Sequence, residues 1–200
     1  MIRKSSILVI LIVLISLSPL VSAIEVEDLK QVDPKKIEKE LILKVGGAKI
    51  KFDDSTEQIY ISSELKIKRE GKKLIINSPH DFPFFNWFDE PDHRMVIGTA
   101  NKYSNLKINA GGIEVTGEIK ADKITLNAGG IDIEAGFYGK QVIINGGGIN
   151  ITGKIEAEEL ELNGAGMDIN LDLLGTKTIS LKGADRKSTR LNSSHYRTAR

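Results

Sequence analysis

Asparagine recurs at positions 109, 127, 145 and 163, always 18 residues apart and always inside the same ten-residue phrase. The four copies are Leu106-Lys-Ile-Asn-Ala-Gly-Gly-Ile-Glu-Val115, Ile124-Thr-Leu-Asn-Ala-Gly-Gly-Ile-Asp-Ile133, Val142-Ile-Ile-Asn-Gly-Gly-Gly-Ile-Asn-Ile151 and Leu160-Glu-Leu-Asn-Gly-Ala-Gly-Met-Asp-Ile169. A fixed period of this kind marks a chain that stacks one structural unit on the next. Counted from each asparagine, the residues three and one before it, and four, six and ten after it, are apolar in every copy. Spacing by two is the period of a strand with one buried face. Three short strands in each 18 residues describe one rung of a coil, and successive rungs would pair about 4.8 Å apart through the main chain. The expected fold class is therefore all-β, a parallel β-helix (β-solenoid) with 18-residue rungs.

The corners follow from the same phrase. Gly112, Gly130, Gly148 and Gly166 stand three after each asparagine. A tight corner there would require positive φ or leave no space for a Cβ, and glycine tolerates both. With rungs in register, Asn109, Asn127, Asn145 and Asn163 are expected to form an amide ladder, each side chain donating to the next. The role assigned to these eight residues is structural.

Repeats of this sort need covered ends, because each unit buries its face only against a neighbour. Asp33-Pro34 signals a short helix to about Glu40, so residues 24–40 are expected to act as an N-terminal cap. Residues 41–105 form a less regular β region, with strands predicted over 41–45, 49–52, 58–62, 64–68 and 73–77 and a hairpin turn over Arg69 to Lys72. Regular rungs occupy 106–184, where Thr178 to Lys182 begins a further rung one residue late.

Both ends of the chain differ from the rest. Arg3 and Lys4 precede an apolar run from Ile7 to Leu17, and Val21-Ser22-Ala23 follows Pro19. This is the pattern of a secretory signal peptide over residues 1–23, cut after Ala23, and the run is shorter than the ~20 residues that span a bilayer. At the other end, Asp185 to His195 is identical to one reading frame of an adapter oligonucleotide used to prepare DNA for sequencing. Residues 185–200 are accordingly expected to be a non-native tail, with any membrane attachment supplied by native sequence that this tail replaces.

Charge then excludes one class of partner. The whole chain has 28 Lys and Arg against 27 Asp and Glu. Without the seven bases and one acid of residues 1–23 and 185–200 it has 21 against 26, a net of −5. Nothing basic remains to follow a phosphate backbone, so no nucleic-acid partner is expected. The absence of cysteine removes disulfides, thiolate metal sites and cysteine nucleophiles, and only three histidines are present.

The apolar-x-apolar strand running through Asn, two small residues and Gly into a second such strand resembles a bacterial and archaeal family of candidate adhesins, secreted or membrane-attached β-helix domains. The likeness extends over about Leu41 to Ala184 and is strongest from Leu106. It implies the β-helix fold and a surface or envelope role, and it carries over no catalytic residues. Bactofilins are similar in shape but lack a signal peptide.

Two features were weighed for chemistry. Residues 77–95 break the strand pattern with three prolines and the aromatics Phe82, Phe84, Phe85, Trp87 and Phe88. This aromatic-rich loop is a candidate binding loop or a shield over the apolar end of the coil. His80, Asp81, Asp89, Glu90, Asp92 and His93 have no diagnostic ligand spacing, so no metal is expected. Five after each asparagine the outward residues Glu114, Asp132, Asn150 and Asp168 form a column, which a glycan-cleaving enzyme or a Ca²⁺ site could use but which more simply forms a solvated stripe. Asn150-Ile-Thr152 is also an N-glycosylation sequon. The function expected is that of a non-enzymatic, secreted or cell-surface adhesin-like scaffold with an unidentified envelope ligand and no cofactor. The alternatives are a carbohydrate-active or carbohydrate-binding β-helix protein and an envelope-sensing regulator.

Overall fold

The computed structural model of the chain describes residues 28–33, 39–79 and 93–193. The described residues are all-β, with ten strands and no helix. The strands are β1 (Lys30–Val32), β2 (Glu40–Asp53), β3 (Ile59–Ile61), β4 (Lys66–Glu70), β5 (Lys73–Asn77), β6 (His93–Gly98), β7 (Tyr103–Tyr138), β8 (Gln141–Glu156), β9 (Glu159–Leu174) and β10 (Thr178–Ser193). They form one sheet in the order β1-β3-β6-β2-β7-β8-β9-β10, with β5 also against β2 and β4 against β5.

The repeat phrase sets the register of the long strands. Asn127 pairs with Asn145 and Asn145 with Asn163, in parallel and 18 residues apart. Ile131, Ile149 and Met167 are aligned by the same offset. Parallel pairing at the repeat length brings each apolar position against its own equivalent, and a slip of one residue would turn the whole apolar set outward. The apolar positions of all four copies are buried, from Leu106 at the start to Leu173 at the end, and they join one hydrophobic cluster. Each repeat therefore contributes a slice of a continuous core.

The same architecture begins earlier in the chain than the asparagine period. Strand β2 lies parallel to β7, with Leu41 opposite Leu106, Lys44 opposite Asn109, Gly47 opposite Gly112 and Ile50 opposite Val115. On the other flank of β2, β5 pairs with its first half and β6 with its second, placing Asn77 opposite Lys44 and His93 opposite Ala48. The chain thus lays down β2, then a layer beneath it from β5 and β6, then returns above β2 with β7. Fifteen residues, 78–92, separate β5 from β6 in the sequence, at the place where the later repeats have only residues 110–112, 128–130, 146–148 and 164–166. Antiparallel strands β3, β1 and β4 close this end of the sheet.

Several expectations are corrected here. Glu40 opens β2 rather than ending a helix, and residues 34–38, which carry most of that expected helix, lie outside the described residues. The strand predicted over 64–68 runs from Lys66 to Glu70, because Leu65 N donates to Ser62 O and keeps the preceding residues in a turn. The hairpin turn narrows to Gly71-Lys72, with Gly71 at φ 58°. The predicted strands over 41–45 and 49–52 are one strand, β2.

The glycine corners are also corrected. Gly130, Gly148 and Gly166 have nothing within 4 Å of a Cβ position, and Gly112 has only Gly130 O at 4.0 Å. None of the four has positive φ. Steric demand falls instead on the residue directly after the asparagine, where a Cβ on Gly146 or Gly164 would come within 2.9 Å of Ile149 or Met167. It falls again eight residues after the asparagine, at Gly117 (φ 91°) and Gly153 (φ 143°), where a Cβ would strike Phe52 O or Ala135 O at about 2 Å. The chain bends where it must pass close to the layer below.

Strand β10 continues to Ser193, pairing in parallel with β9 and shifting register between Arg186 and Ser188. It therefore enters the segment set aside as a non-native tail. An exposed strand edge offers main-chain donors and acceptors to whatever chain follows it.

Candidate functional site

The asparagine side chains form a ladder. Asn127 Nδ2 donates to Asn109 Oδ1 at 2.9 Å, Asn145 to Asn127 at 2.7 Å and Asn163 to Asn145 at 2.7 Å. Every donor points toward the earlier repeat, which leaves Asn163 Oδ1 buried without a hydrogen-bond partner. Asn163 Nδ2 also bonds Glu161 Oε1, and that carboxyl is held below its usual range by this bond and by the Lys182 ammonium. Half-buried amides engaged with one another hold the layers in register and have little capacity left to meet a ligand.

The outward column of Glu114, Asp132, Asn150 and Asp168 does not concentrate free carboxylates. Glu114 pairs with Lys49 at 3.0 Å, and Asn150 Nδ2 donates to Asp132 Oδ1 at 2.9 Å. The column reads carboxylate, carboxylate, amide, carboxylate, with Lys49 partnering the first and Asn150 the second. The amide nitrogen that a glycan would occupy in the Asn150 sequon is the one bonded to Asp132.

The binding loop residues Phe82, Phe84, Phe85, Trp87 and Phe88 lie outside the described residues, as do His80, Asp81, Asp89, Glu90 and Asp92. His93, where β6 resumes, is described and only 2% exposed. Its Nδ1 is 2.8 Å from Glu64 Oε1 and its Nε2 is 3.0 Å from Ser78 Oγ, which also accepts from Gly46 N at 3.3 Å. Glu64 is held ionised below the usual carboxylate range first by its own backbone N–H, against burial, and further by His93.

Sequence reasoning missed this cluster. Its signal is His93 itself, which stands in register with Ala48 and Ile113 at an inward position, where an imidazole needs partners for both nitrogens. The serine–imidazole–carboxylate order is the one that activates a nucleophile. Here, however, Ser78 is 7% exposed and its oxygen already accepts a backbone N–H. The three side chains tie together the two chain ends flanking residues 79–92. Among the described residues no group of three or more His, Cys, Asp or Glu side chains is placed to hold a metal ion.

No protein-family model matches the chain, and comparison with curated proteins finds no match either. Among solved structures, a candidate cell adhesion protein from Clostridium sporogenes is similar at 14% identity and a TM-score of 0.40, over 82% of this chain and 96% of that one.

Proposed function

We propose that the chain is a non-enzymatic β-solenoid, exported from the cytoplasm, that serves as an adhesive or structural scaffold at the cell surface. The observation that carries this reading is the column geometry. Parallel pairing at a constant 18 residues, locked by the amide ladder, sets equivalent outward side chains in straight rows. A rigid face of repeated positions multiplies weak contacts with a repetitive partner, because the second and third contacts cost little further ordering. The short apolar run and small residues of 1–23 support export. The partners held by Glu114 and Asp132 and the fully partnered His93 cluster support a binding role over catalysis.

The test is expression of the full chain in a bacterial host, followed by fractionation and N-terminal sequencing. The expected product begins at Ile24 outside the cytoplasm, and beads coated with it adhere to envelope fragments of its source cell. A cytoplasmic product retaining residues 1–23 overturns the export reading. Labelling of Ser78 by a fluorophosphonate, or polysaccharide cleavage abolished by Asp132→Asn and Asp168→Asn, overturns the non-enzymatic one.

A further inference from the structure

One outward face differs from the rest of the stack. Nine residues after each repeat asparagine stand Glu118, Gly136, Lys154 and Asp172, so that a glycine interrupts a row of charged side chains. A Cβ on Gly136 would lie 2.5 Å from the Glu118 carboxylate, which therefore bends over the gap. Beside it stands Tyr138, whose hydroxyl is bonded to Glu118. This bond, reinforced by burial and by neighbouring carboxylates, pushes the phenol up to about 12. Lys154 Nζ lies 5.3 Å from the centre of the Tyr138 ring, and its ion pair with Glu156 is long at 3.7 Å. Two shallow depressions of about 450 and 490 Å³ meet at Tyr138, one on each side of it. Gly117 and Gly153 line the first and Gly175 the second, all three at positive φ.

Around the depression lined by Lys102, Lys120 and Lys177 the rim charges pair off. Lys102 pairs with Asp122 at 2.9 Å, Lys120 with Asp54 at 2.9 Å and Lys177 with Glu158 at 3.0 Å. The trough beside Gly136 is lined by Glu118, Glu134 and Asp172 against Lys154, so a polyanion would meet like charge there. What remains is an aromatic ring flanked by open troughs and surrounded by closely spaced hydrogen-bond donors and acceptors. A ligand with apolar C–H faces and hydroxyl edges satisfies both features, the face against the ring and the edges against the carboxylates, amides and Thr152.

We infer that the groove through Tyr138 and Gly136 binds a neutral saccharide chain. This names a ligand class for the scaffold and rests on the surface-binding reading above. Tyr138 is the stacking platform, Gly136 supplies the depth beside it, and Lys154 rests on the ring until a sugar displaces it.

The full chain is titrated by calorimetry with two neutral probes, cellohexaose and chitohexaose, and with heparin and poly-L-lysine as charged probes. At least one neutral hexasaccharide is expected to bind, with Tyr138→Ala weakening it tenfold or more, Tyr138→Phe retaining most of it and Lys154→Ala binding at least as well as the parent. Tyr138→Leu, which keeps apolar bulk without an aromatic face, should also weaken it. The inference is overturned if neither neutral probe binds, if binding ignores Tyr138→Ala and Tyr138→Leu, or if only the charged probes bind. Bead adhesion measured on the same variants separates the two readings: adhesion that persists without saccharide binding leaves the scaffold standing and removes this site.

Discussion

Replacing Asn145 by alanine cuts the amide ladder at an interior rung, and the structure sets the scale of the loss. Asn145 Nδ2 donates to Asn127 Oδ1 and its Oδ1 accepts from Asn163 Nδ2, each at 2.7 Å. Two hydrogen bonds at a net of about 1 kcal/mol each, together with the stranded Oδ1 of Asn127, give an expected loss of about 2–3 kcal/mol. Asn163 provides the internal comparison. Its Oδ1 has no partner, so Asn163→Ala deletes an unsatisfied carbonyl, which offsets part of the loss of one ladder bond and the Glu161 bond and the stranding of Asn145 Oδ1. Its cost should be about 1 kcal/mol. Both variants are measured by guanidinium unfolding followed by far-ultraviolet circular dichroism, with the slope checked for constancy so that midpoints translate into stability. Interior and terminal rungs that cost the same, or an Asn145→Ala loss below about 0.5 kcal/mol, would show that the ladder contributes no register energy.

The remaining expectations follow from the same contacts. Gly153→Ala should destabilise by about 2 kcal/mol or more, because its Cβ would sit 2.0 Å from Ala135 O at φ 143°. Gly130→Ala, with open space around it, should be neutral or slightly stabilising in the same unfolding assay. Glu64 has a depressed folded pKa, so its contribution is present above the ordinary carboxylate range and is lost as pH falls through the lower folded value. Thermal melts of Glu64→Gln from pH 7 to 3 should therefore lose less stability than the parent. Tyr138 favours the neutral phenol, so its stabilisation is lost as pH rises from 10 toward about 12, and an alkaline absorbance titration should show a late phenolate step that Tyr138→Phe removes. Lys182 lies in register with Asn163, so Lys182→Asn should extend the ladder to the orphaned Oδ1 and gain about 1 kcal/mol, a gain that should vanish when Asn163 is already alanine.

The buried face of the repeats was legible because its signal is long-range and redundant. Five apolar positions recur in four copies, and each is buried. The layer formed by β2 was expected only as part of a less regular region and not aligned with the repeat, because Lys44 replaces the asparagine and because 65 residues, rather than 18, separate it from β7. Its Leu41-x-Leu43 strand and Gly46-Gly47 pair were nonetheless in view. The corner glycines were misassigned because a conserved-looking letter within a repeat does not say which neighbour it must avoid. Gly117 and Gly153 are constrained by a carbonyl of the adjacent layer, which only the stacked backbone shows. The His93 cluster was hidden for a related reason: Glu64, Ser78 and His93 are brought together by β5 and β6 lying against β2, and no local spacing encodes that.

Lysine stands at both ends of the asparagine run, at Lys44 before Asn109 and at Lys182 after Asn163. An amide column is open-ended by nature, since each side chain offers a donor on one side and an acceptor on the other, and any further layer carrying an amide would extend it. Lysine has donors alone. At the Asn109 end it opposes a donor with a donor. At the Asn163 end it turns to Glu161 at 3.2 Å rather than to the free Oδ1. The opposite limit of the sheet is covered by the antiparallel strands β1, β3 and β4. A cation in place of an amide at both ends stops the amide run at Asn109 and Asn163.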